Sequence, residues 1–149
     1  MEIEFKEYLN ECSYNIDNMK NHLYLDIEKS INYIKNSINS GGKIIFFGNG
    51  GSASDSQHLC AEFVGRYKKD RSPLPAISLN TDTSILTAVA NDMGYEKVFE
   101  RQVEALAKKE DIIFAISTSG SSKNVINAVV AGKKKGIKII SLTGKKDSE

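Results

Sequence analysis

The chain has 149 residues, 40% hydrophobic and 26% charged, with a net charge of +1. That length suits one domain with a real core, and the near-neutral balance gives no strong field for nucleic acid or an anionic membrane. Arginine is scarce beside lysine, Cys12 and Cys60 are too few for a disulfide framework, and no apolar run approaches the roughly 20 residues that span a bilayer.

The N-terminus, Met1-Glu2-Ile3-Glu4-Phe5-Lys6, is charged and lacks the apolar segment of a signal peptide, so a reducing, cytoplasmic setting is expected. Residues 4–39 read as helix. Tyr8, Cys12, Ile16, Met19 and Leu23, and again Ile27, Ile31, Ile34 and Ile38, recur at spacings of 3 and 4, with a break near Asn21-His22. The pattern stops at Ser40-Gly41-Gly42, a helix-ending signal. So long an amphipathic pair needs a cover, and a partner subunit would supply one.

The period then changes. Lys43 to Phe47 is a continuous apolar run, as expected of a strand buried on both faces. A glycine-rich loop and a helix over 53–67 follow, then Pro73, Pro75 and a short strand over 76–79. Helices are expected at 83–91 and 95–108, a strand at 111–116, a helix at 122–135 ended by Gly136, and a strand at 137–142. The lysine runs 133–135 and 145–146 read as solvated faces. Strands alternating with helices predict a three-layer α/β/α domain on a mostly parallel sheet. Ligands of such sheets bind at the carboxyl ends of the strands, so the loops after Phe47, Leu79, Ile116 and Leu142 should face one site.

Two of those loops carry chemistry. Gly48-Asn49-Gly50-Gly51-Ser52-Ala53 matches the glycine spacing of a dinucleotide fingerprint, but the acidic residue expected about 20 positions later is missing; Asp82 comes too late and lies past the strand. Ser117-Thr118-Ser119-Gly120-Ser121-Ser122 places five hydroxyls between a buried strand and a helix start, where amides and helix dipole favour an anion. A helix cap needs only one such hydroxyl. Together the loops suit a small phosphorylated ligand, with the serines on the phosphate and the glycines letting backbone approach the rest. Behind the glycines, His58 and Glu62 stand four apart on one helix face, with Asp55 three before His58. The pair can be a surface contact, or half of a zinc or acid–base site that looks into the same cleft.

GNGGSASDSQHLCAEFVGRY, NTDTSILTAVANDMGY, AISTSGSSKNV and SLTGK resemble the phosphoheptose isomerases, enzymes of the sugar-isomerase (SIS) domain family. The resemblance runs from Gly41 onward and fits the N-terminal helices too. It implies an N-terminal helical segment over 1–40 that serves oligomerisation and a sugar-phosphate-binding SIS domain over 41–149. It implies a cytoplasmic homotetramer, without nucleic acid or membrane partners, that interconverts sedoheptulose 7-phosphate and D-glycero-D-manno-heptose 7-phosphate for lipopolysaccharide or capsule. In this reading Asn49, Gly50, Gly51 and Ser52 line the substrate, and Asn91 and Asp92 bond its hydroxyls. Ser117, Thr118, Ser119 and Ser122 take the phosphate and neighbouring hydroxyls. His58 and Glu62 match zinc ligands, and Glu62 matches the catalytic carboxylate. The family continues with a further strand and helix whose glutamine and histidine complete the zinc site. The resemblance therefore implies a shortened chain ending in a polar tail, Lys145 to Glu149, with weak affinity for zinc. Two other functions share these motifs: a non-catalytic tetrameric adaptor binding the replication initiator DnaA, and a module that senses a sugar phosphate.

Overall fold

The computed structural model describes residues 2–144; the Lys145-Lys146 pair and the polar tail lie outside the described residues. The chain divides into two compact units, Met1–Tyr33 and Ile34–Glu149. The first contains α1 (Glu2–His22) and the start of α2 (Tyr24–Asn39), so the helical pattern breaks at Leu23, next to the expected Asn21-His22. In α1 the apolar side chains Phe5, Tyr8, Tyr14 and Ile16 are exposed. Among the described residues no helix is long and apolar enough to cross a membrane.

The second unit holds four parallel strands: β1 (Ile44–Gly48), β2 (Ala76–Ser78), β3 (Ile112–Ser117) and β4 (Lys138–Thr143), in the order β2-β1-β3-β4. All five residues of β1 are buried, which explains why its sequence is a continuous apolar run rather than an alternation. Registry pairs Ile44 with both Ala76 and Ile112, and Gly48 with Ile116. The alternation of side chains along β1 sorts the helices into two layers. Phe46 turns to one face, where its ring lies 5.8 Å from Phe63 of α3 (Gly51–Val64). Phe47 turns to the other and stacks 5.1 Å from Phe99 of α5 (Val98–Leu106). That second face holds the larger core, where Ile45, Phe47, Ile113 and Ala115 meet Val98, Phe99 and Val103 of α5 and Val125 and Ala128 of α6 (Lys123–Lys134). Leu86, Val89 and Ala90 of α4 (Thr83–Met93) close the same side. The result is the three-layer α/β/α domain that the alternating pattern predicts.

Polar ties fix both ends of the sheet. At the amino end, the buried Asp111 carboxylate accepts from Lys43 N (2.9 Å), Lys43 Nζ (2.6 Å) and Lys108 N (2.7 Å). At the carboxyl end, the buried Gln102 amide donates to the carbonyls of Leu79 (3.1 Å) and Val98 (2.9 Å), joining the end of β2 to α5. Burial of such groups is tolerated because each finds its partners.

Candidate functional site

The strand order decides where a ligand can sit. From β1 the chain crosses to β2 on one side, and from β3 it crosses to β4 on the other. The loops leaving the carboxyl ends of β1 and β3 therefore diverge and leave a crevice between them, the usual binding place in an open parallel sheet. A cavity of about 220 Å³ occupies it, lined by Asn49, Ser52, Ile116, Ser117, Thr118, Ser119 and Ser122. That volume is below the roughly 300–1,000 Å³ of typical small-molecule pockets. It is enough for a phosphate-sized group and a few atoms beyond it.

The glycine loop has its sequence for steric reasons. A Cβ on Gly48 would lie 2.6 Å from Ser52 Cβ and 2.7 Å from the Ile116 carbonyl, and Gly50 has φ +56°. A side chain at Gly48 would force the two strand ends apart, and Gly50 makes the left-handed turn that starts α3 at Gly51. Asn80 holds this turn from the β2 side, donating to Gly48 O (2.8 Å) and accepting from Gly48 N (3.3 Å). On the β3 side, Asn49 and Asn124 exchange amide hydrogen bonds of 2.9 and 2.8 Å, and the Tyr95 hydroxyl donates to Asn49 Oδ1 at 3.1 Å.

The serine loop is organised by its own hydroxyls. Ser117 Oγ donates to Ser122 Oγ (3.2 Å) and accepts from Gly120 N (3.2 Å), while Ser121 N and Oγ both donate to Ser119 Oγ. Ser122 sits at the N-cap of α6, yet its side chain makes no capping bond. Ser122 does not close the first turn of α6; Asn124 does so in part, its Oδ1 accepting from Val125 N at 3.0 Å, and the Thr118 hydroxyl is free of protein partners among the described residues. A helix start with its dipole, the Thr118 hydroxyl and a cluster of serine hydroxyls in one concavity fit a dianion.

Of the residues singled out from the sequence, Asn49, Ser52, Ser117, Thr118, Ser119 and Ser122 come together in this cavity. Gly50 and Gly51 form the turn beside it without lining it. Asn91 and Asp92 lie exposed at the end of α4, outside the lining, with Asn91 Nδ2 donating to Asp92 Oδ1 at 2.7 Å. His58 and Glu62 are also outside it. Their side chains meet on α3, Nε2 to Oε1 3.3 Å, with His58 75% exposed and Glu62 31%. Among the described residues Glu62 Oε2 is buried without a hydrogen-bond partner, an expensive arrangement for a carboxylate oxygen. An imidazole and a carboxylate are donors that zinc accepts, but zinc sites take at least three protein ligands. Among the described residues no group of three or more His, Cys, Asp or Glu could hold a metal, so the pair does not make a site by itself.

Sequence reasoning missed Asn80, Tyr95 and Asn124. Each sits within or beside a quoted motif, but its partner lies 32, 46 or 75 residues away in the chain, and no local pattern reports such a pairing.

The fold and loops place the chain in a known class. A family model for the SIS domain matches residues 7–144. The phosphoheptose isomerase of Thermodesulfovibrio yellowstonii is 54% identical over 120 residues, covering 80% of this chain and 60% of that protein. A probable phosphoheptose isomerase of Thermoplasma acidophilum is 49% identical over 146 residues, covering 96% of this chain and 77% of that protein. The solved structure of a phosphoheptose isomerase from Neisseria gonorrhoeae superposes with a TM-score of 0.91 at 36% identity, over 97% of this chain and 76% of that one. The chain belongs to the SIS domain family, in its phosphoheptose isomerase branch. It spans 60% of the length of the Thermodesulfovibrio relative and 62% of that of a Helicobacter pylori relative.

Proposed function

We propose that this chain carries the phosphate-binding part and the catalytic carboxylate of an aldose–ketose isomerase. The substrate is sedoheptulose 7-phosphate and the product D-glycero-D-manno-heptose 7-phosphate, a cytoplasmic precursor for lipopolysaccharide or capsule. The observation that carries this reading is the cavity at the strand switch point, lined by residues of both loops and lying at the start of α6. The hydroxyls of Ser117, Thr118, Ser119 and Ser122 and the first amides of α6 hold the phosphate. Asn49, Ser52 and the backbone of Gly50 and Gly51 meet the sugar, and Asn91 and Asp92 bond its outer hydroxyls. The phosphate grip acts far from the reacting carbons, and its binding energy positions them.

The reaction removes a proton from the carbon next to the carbonyl, forms an enediol and returns the proton to the adjacent carbon. Glu62 is the base in this reading. Its Oε2 has no hydrogen-bond partner among the described residues, so no protein group competes for that oxygen. His58 and Glu62 would hold zinc, a Lewis acid toward a carbonyl or hydroxyl oxygen, and two donors from this chain give low affinity. The working protein is a homotetramer, a reading supported by the exposed apolar side chains of α1.

The test is solvent exchange. In heavy water the protein should catalyse deuterium entry next to the carbonyl of sedoheptulose 7-phosphate. Glu62→Gln should slow this by about 100-fold or more while sugar-phosphate binding persists. Exchange retained in Glu62→Gln removes Glu62 from the mechanism. Tight binding with no exchange in any form marks a sugar-phosphate sensor instead.

A further inference from the structure

The Asn49–Asn124 pair joins the two halves of the cavity. Asn49 belongs to the glycine loop and lines the pocket; Asn124 is in the first turn of α6 and is 4% exposed. The pairing has a direction imposed from the backbone. Val125 N, which cannot turn, donates to Asn124 Oδ1 at 3.0 Å and so fixes which end of the Asn124 amide is oxygen. Asn124 Oδ1 then takes an N–H of Asn49, and Asn124 Nδ2 donates to Asn49 Oδ1. Tyr95 adds its hydroxyl to the same Asn49 oxygen. Both lone pairs of the Asn49 carbonyl are thereby used, and of its two N–H bonds one is spent on Asn124. What Asn49 retains for a ligand is one N–H and nothing that accepts.

We infer that Asn124, seconded by Tyr95, is a positioning residue that acts through Asn49: it locks the glycine loop against α6 and makes the Asn49 side chain a donor only, selective for an acceptor oxygen on the sugar. The inference rests on the isomerase reading above, in which Asn49 meets the sugar and the serine loop the phosphate. It separates two affinities that a purely structural role would move together. An amide that merely supported the start of α6 would, when lost, weaken every anion bound there.

The experiment is a double-mutant cycle on the full chain, with sedoheptulose 7-phosphate and inorganic phosphate as probes in calorimetric titrations. Asn124→Ala should weaken the sugar phosphate about tenfold, the size of one good hydrogen bond, and leave inorganic phosphate within about twofold. In an Asn49→Ala background the same change should cost nothing further. Tyr95→Phe, which removes one exposed hydroxyl, should show a smaller loss that also disappears when Asn49 is absent, and this keeps the test open if Asn124→Ala unfolds. Additive losses, or equal losses for the two probes, overturn the positioning role while leaving the isomerase reading standing. A wild-type protein that binds the sugar phosphate no better than inorganic phosphate overturns both.

Discussion

Glu62 and Cys60 share α3 but show opposite chemistry. Glu62 keeps a buried oxygen unpaired, an arrangement that costs stability and that function can exploit. Cys60 is a partly buried thiol whose pKa is raised from 9.0 because burial disfavours the thiolate, against a smaller opposing hydrogen bond from the Ser78 backbone. Less thiolate at neutral pH means slower reaction with alkylating agents than a free cysteine shows. The shift also has a stability consequence. The folded state holds the proton to higher pH than the unfolded chain, so this group's contribution is constant below the ordinary thiol pKa. It then falls as pH rises from there toward the folded value. Urea denaturation should show that decline above about pH 9 in the native protein and a smaller one in Cys60→Ser. An identical alkaline decline in both proteins would contradict the assignment.

Elements are placed by a few ties at strand ends. Asp111 gathers Lys43 from the start of β1 and Lys108 from the turn before β3, and its side chain is only 2% exposed. Asp111→Ala should destabilise the protein by about 3 kcal/mol, because two backbone amides and an ammonium lose their acceptor together. Denaturant midpoints with an unchanged slope would measure this, and a change below about 0.5 kcal/mol would contradict it. Most elements were legible in the sequence. Continuous apolar runs marked β1 and β3 because both are buried on two faces, and the period of α1 and α2 marked the helices. The boundaries were less legible. The sequence places the start of α3 at Ala53, whereas the helix begins at Gly51, because the turn is made by one glycine at positive φ and the next can already be helical. The segment expected as one helix over 95–108 is a 3-10 turn at Tyr95–Lys97 followed by α5. That turn places Tyr95 where its hydroxyl reaches Asn49. The phosphate side of the cavity was legible because hydroxyl-rich loops at helix starts announce themselves locally. The amide pair that joins the loops was not, since it depends on tertiary placement alone.

At the scale of the whole molecule, the proposed tetramer gives the apolar side chains of α1 their cover. Phe5, Tyr8, Tyr14 and Ile16 are each more than 60% exposed. Light scattering behind a sizing column should give the mass of four chains. Tyr8→Glu with Ile16→Glu should reduce that mass while circular dichroism retains the helix signal. A native protein that runs as a monomer would contradict the assembly. The central claim, one site built from two loops, is tested most directly by following backbone amide resonances while sedoheptulose 7-phosphate is added. The account predicts that residues 48–52 and 117–124 shift together along one binding curve. Movement of only one loop, or two curves with different midpoints, would contradict it.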